Sequence, residues 1–155
     1  MSGIKDLAKE RSRFAYGCAT QGKSILSSFQ INNEYYKDDK YKSYVKKIPM
    51  MILTNGLGVT FAFIYSKRKK YDEKKKKRAG EKENPKNGYD LIYKQVDEWL
   101  KQSYIHKSEG DLIKWIIDQE SPQYRATTNE LLALFNWLKR FADGMIEGED
   151  NVQEE

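Results

Sequence analysis

The chain has 155 residues, with 28 Lys or Arg against 23 Asp or Glu and a net charge of +5. That length predicts one domain with a continuous core that needs no metal or disulfide to stand. One cysteine, Cys18, excludes an intrachain disulfide, and one histidine, His106, has no partner set with which to build a zinc site or a catalytic triad.

Taken in chain order, Ile4, Leu7, Ala8, Phe14, Ala15, Cys18, Ala19, Ile25, Leu26 and Phe29 recur at spacings of three and four. This pattern predicts a long first helix with a bend at Gly22, and it places Cys18 among apolar neighbours as a buried, inert thiol. Lys5, Asp6, Lys9, Glu10, Arg11 and Arg13 interrupt any apolar run, so no secretory signal is expected there. Asn32, Asn33, Asp38 and Asp39 mark a turn and the start of a short helix through Lys47, after which Pro49 restarts the pattern.

Residues Ile48 to Tyr65 form an apolar run flanked by lysines, close to the length of about 20 residues that a membrane span needs. Thr54, Asn55, Thr60, two glycines and a proline weigh against a span, and the run reads instead as a buried central helix. Gly56 and Gly58 lack the third glycine or the following Lys-Ser/Thr of a phosphate loop. Their expected use is close contact with a neighbouring helix. Asn55, a polar amide in an apolar run, is expected to hydrogen-bond inside the bundle or to face a partner.

From Lys67 to Lys86 eleven Lys or Arg face four Asp or Glu, so the basic balance of the chain comes from this one segment. It reads as a helix end passing into a solvated loop over 67–88, with a nonspecific nucleic-acid arm as the functional alternative. Tyr89, Ile92, Tyr93, Val96, Trp99 and Leu100 make the next amphipathic helix, and His106 stands near the end of that stretch. Ser108-Glu-Gly-Asp111 is expected to cap a further helix with Leu112, Ile113, Ile116 and Ile117 facing inward. Asp111, Asp118 and Glu120 read as helix-end and solvent-face residues.

The last helix is the most fully specified. Ser121 is placed as its cap, Pro122 in its first turn and Gly144 at its end. On a helical wheel Leu131, Leu134, Leu138, Phe141, Ala142 and Met145 share one arc, flanked by Phe135 and Trp137. Arg125, Asn129, Asn136, Lys139, Arg140 and Asp143 share the opposite side, interrupted by an exposed Leu132. Trp137 and Phe141 are assigned to core packing. After Met145 the chain carries Glu147, Glu149, Asp150, Glu154 and Glu155 without a cation.

Without strand alternation or internal repeat, the expected fold is all-α: a single-domain bundle of about five to seven helices over 1–146, with a lysine-rich loop inside it and an acidic disordered tail at 147–155. No set of residues supplies nucleophile, base and orienting group, so neither an enzyme nor a cofactor is expected.

Two blocks then carry a family resemblance. Val45-Lys-Lys-Ile-Pro-Met-Met-Ile-Leu-Thr-Asn-Gly-Leu-Gly-Val-Thr-Phe-Ala-Phe, followed by Tyr124-Arg-Ala-Thr-Thr-Asn-Glu and Trp137-Leu-Lys-Arg-Phe-Ala-Asp-Gly, closely resembles the small all-helical subunit of the type III-B CRISPR effector, the Cmr or RAMP-module complex. The resemblance implies a non-catalytic cytoplasmic protein that lines a ribonucleoprotein filament in several copies. It would sit beside the backbone subunit and copies of itself, near guide and target RNA and with no membrane contact. Lys139 and Arg140, with Lys46 and Lys47, lie in the matching blocks, and Arg125 shares the helix face of Lys139 and Arg140 on the wheel, so these five are the candidates for contact with RNA or a neighbouring subunit. A standalone helical adaptor with an incidental basic loop is the alternative.

Overall fold

The computed structural model describes residues 4–31, 40–68 and 87–147. The turn expected at Asn32 to Asp39, most of the lysine-rich run and the acidic tail beyond Glu147 lie outside them, as do the side chains of Ile25, Leu26 and Phe29. The described residues form six helices and no strand: α1 Ile4–Ile31, α2 Tyr41–Asn55, α3 Leu57–Lys67, α4 Gly88–Gln102, α5 Leu112–Ile117 and α6 Ser121–Met145. The all-α bundle read from the sequence is the observed architecture. α6 packs against α1 along one side and α2 along another, while α3 packs on α2, α4 and α5.

The core follows the periodicity of each helix. Ala15, Cys18 and Ala19 of α1 meet Leu131, Leu134, Phe135, Leu138 and Ala142 of α6, and Trp99, Leu91 and Ile92 of α4 complete the same buried cluster. Removing these side chains from water is the main favourable term in folding. α1 runs through Gly22, where the absent side chain makes room for a neighbour. A Cβ at that position would lie 2.5 Å from two carbons of the Tyr41 ring. Tyr41 can therefore reach inward and donate its hydroxyl to Gln95 Oε1 at 2.7 Å, while Gln95 Nε2 donates to the Cys18 carbonyl.

The apolar run from Ile48 to Tyr65 is two helices and not the single central helix expected. Gly56 adopts φ 93° and ψ 159° between them, a conformation essentially confined to glycine. Its N–H closes α2 on the Ile52 carbonyl, and its carbonyl accepts from Thr60 N to open α3. Pro49 does not restart a helix but sits inside α2, whose Tyr41, Val45, Ile48 and Ile52 are all buried. Turning at Gly56 lets each short helix cover one face only, so Met50, Leu53 and Val59 remain exposed. Asn55 is exposed too, at the end of α2. No described helix is long and apolar enough to cross a membrane.

Helix ends account for the other departures. α6 begins at Ser121, but Glu120 occupies the cap position, so Ser121 and Pro122 are its first two helical residues and no side chain caps it. The helix continues through Gly144 to Met145 and closes on the Ile146 N–H, which donates to Ala142 O. α4 starts from a cap missed in the sequence, Asn87, whose Oδ1 accepts from Asp90 N at 2.9 Å. α5 has six residues, too few to bury four aliphatic side chains, and Ile117 is exposed. Leu132, expected on the surface, is half-buried and packs against the core.

Candidate nucleic-acid interface

One side of α6 is fixed before any function is considered. Glu130 is buried, and it accepts from Arg11 Nε at 2.7 Å, Arg11 Nη2 at 2.8 Å and Trp99 Nε1 at 2.9 Å. The carboxylate thus ties α1, α4 and α6 at one point, and it raises the Arg11 pKa by its hydrogen bond. At the α2–α3 joint, Tyr124 of α6 accepts from Gly58 N at 2.7 Å. A Cβ on Gly58 would come within 3.3 Å of that hydroxyl, so the close approach expected of this glycine is made to a tyrosine side chain. With its inner face pinned at both places, α6 presents a determined outer face.

That outer face is cationic. Arg125 and Arg140 are exposed and Lys139 is half-buried, and none of the three makes an ion pair with a described residue. The rise of a helix puts Arg125 about 21 Å from Lys139, so the three share a face without forming one cluster. α2 extends the face. Lys46 Nζ lies 3.0 Å from Asp143 Oδ1 and Lys42 Nζ 3.7 Å from the same oxygen, while Lys42 also donates to Ile146 O. Asp143 follows Lys139 by one turn of α6, so the carboxylate that Lys42 and Lys46 contact lies on the same helix as Lys139 and Arg140, and cations outnumber it there. Lys46 is therefore held by Asp143. Lys47 points elsewhere, its Nζ 5.5 Å from the Tyr44 ring and 5.8 Å from the Tyr89 ring.

Two arrangements were not legible in the sequence. Trp137, assigned there to the core, is 40% exposed, while Phe141 is half-buried beside it. Their rings stack at 5.8 Å, and Phe141 also meets Tyr16 of α1 edge-on at 5.4 Å. Trp137 lies at the edge of the apolar arc, where a wheel cannot say which neighbour covers it. The second arrangement joins α3 to α4. Arg68 Nε is 2.8 Å from Asp90 Oδ1, its guanidinium lies 4.1 Å from the Tyr93 ring centre, and Asn87 Nδ2 donates to Lys67 O. The two ends of the lysine-rich segment are thereby held together.

Other ionisable groups have structural partners. Lys107, with its side chain buried, contacts Asp97 Oδ1 at 2.8 Å and donates to the carbonyls of Ser108 and Gly110. Tyr93 donates to Asp111 and accepts from Ile113 N; burial, then that bond to Asp111, pushes its pKa up. His106 is exposed in the turn after α4, at φ 55°, and not in a helix. No group of three His, Cys, Asp or Glu among the described residues could hold a metal ion.

These features define a class: a small all-α protein with one long helix pinned on its inner side and cationic on its outer side. The family model of the CRISPR-associated protein Cas_Cmr5 matches residues 7–145, and the chain belongs to that family. It is accordingly a small subunit of the CRISPR Cmr complex, associating with other Cmr subunits.

Proposed function

We propose that this chain is a non-catalytic structural subunit of the type III-B effector that contacts target RNA. Several copies would line the filament beside the backbone subunit in the cytoplasm. The observation that carries the reading is the outer face of α6, where Arg125, Lys139 and Arg140 have no acidic partner among the described residues while the inner face is locked by Glu130 and Tyr124. Cations left unpaired on a rigid element suit contact with phosphates, which position a strand without reading its sequence. Their span of about 21 Å corresponds to roughly six nucleotide steps of 3.4 Å. An RNA-guided assembly delegates sequence to base pairing, by analogy with a DNA-targeting effector, and needs only such backbone contacts from its protein.

The test is photo-crosslinking of target RNA bearing 4-thiouridine in the reconstituted complex, followed by peptide mapping. The crosslinks are expected on α6 and the adjoining part of α2. Crosslinks confined to other subunits would remove the RNA contact from this chain.

A further inference from the structure

The seam between α1 and α6 carries an exposed aromatic corner that no packing requirement explains. Phe141 stands at its centre, with the Trp137 ring stacked beside it at 23° and the Tyr16 ring nearly perpendicular at 84°. The two outer rings face solvent, Tyr16 at 55% and Trp137 at 40% exposure. Ala133, one turn before Trp137, is too small to cover the indole. Cations flank both rings. Arg13 precedes Tyr16 by one turn and Arg140 follows Trp137 by one turn, and neither pairs with a described acid.

We propose that Tyr16 and Trp137 form a stacking platform for unpaired bases of single-stranded RNA, with Arg13 and Arg140 on the adjoining phosphates. The inference rests on the reading of α6 as an RNA-contacting helix and adds to it a contact with bases. Three rings and two guanidinium groups match one or two bases in size, and fall well short of the roughly 800 Å² per partner of a stable protein interface. The charge is complementary to a phosphate strand. Every base offers a π-face, so such a platform accepts any sequence and does not compete with the guide for specificity. A stacked base must be free of its pairing partner, so the platform favours single strands over duplex.

The experiment titrates the full chain at low salt with a short end-labelled oligoadenylate, alongside a labelled abasic sugar-phosphate strand of equal length, reading affinity from the anisotropy of the label and stacking from tryptophan fluorescence. Oligoadenylate is expected to quench the wild-type chain. Trp137→Leu should lose that quench and bind on the order of tenfold more weakly. Trp137→Phe should keep the affinity, because the ring remains, and the abasic strand should bind wild type and Trp137→Leu equally. If Trp137→Leu binds oligoadenylate as tightly as wild type while Arg140→Glu weakens both strands, the phosphate contact stands and the platform is overturned. If neither variant changes binding, both readings fall. Quenching that appears only when other Cmr subunits are added, and not with RNA, makes the corner a protein interface and overturns the proposal.

Discussion

Glu130 is the residue on which the packing of three helices depends. Its partner Arg11 is 119 positions away in sequence and is itself largely covered, so the pair exchanges little of its attraction with water. Removing one member of a buried pair leaves the other uncompensated, and Glu130→Gln is expected to lower stability by about 3 kcal/mol in urea denaturation. A loss below about 0.5 kcal/mol, the scale of a surface change, would contradict the geometry. Neither the pair nor its link to Trp99 was legible in the sequence, because a helical wheel gives the direction of a side chain and not the element it meets.

Cys18 was legible, since its apolar neighbours at helical spacing imply burial. Burial first, with the nearby Glu98 charge second, holds its thiol above the ordinary value of 9.0. The unfolded chain therefore gives up this proton first, and the contribution of the group to stability is complete below that value and declines as pH rises past it. Native protein at pH 8 should react slowly with a thiol-specific disulfide reagent, and denaturant should restore the rate of a free cysteine. Rapid native labelling would show an accessible thiolate.

At the scale of elements, the amphipathic stripes were the readable part. α1, α4 and α6 lie where spacings of three and four put them, because a helix that buries one stripe leaves its period in the sequence. The ends were harder to read. Ser121 is a good cap by type, yet the chain enters α6 one residue earlier, and the apolar run over α2 and α3 hides a break that hydrophobicity alone cannot show. That break depends on Gly56. Gly56→Ala forces a Cβ into φ 93° and is expected to cost about 1–3 kcal/mol. Gly17→Ala on α1, where nothing lies within 4 Å, should be neutral or slightly stabilising. Comparing the two urea midpoints separates backbone strain from a general intolerance of alanine.

At the scale of the whole molecule, the described bundle carries two surfaces of interest, the cationic side of α6 with α2 and the aromatic corner with α1. The candidates Arg125, Lys139 and Arg140 were found because they oppose the apolar arc of their own helix. The involvement of Lys46 with Asp143 required knowing that α2 packs beside α6, which is a tertiary fact. The two matching blocks, Val45 onward and Tyr124 onward, belong to α2, α3 and α6, and these helices meet at Gly58 and Tyr124. Sequence likeness and spatial contact thus coincide in the same part of the bundle.

The most direct test of the RNA-contacting role is a salt titration of target-RNA binding by reconstituted complexes carrying wild-type or Arg125→Glu/Lys139→Glu/Arg140→Glu subunits. Phosphate contacts release counterions, so the variant should assemble normally, bind more weakly by a similar factor for different guides, and show a shallower dependence of affinity on salt. Unchanged affinity and an unchanged slope, with assembly intact, would contradict the account and leave this face without a role in RNA binding.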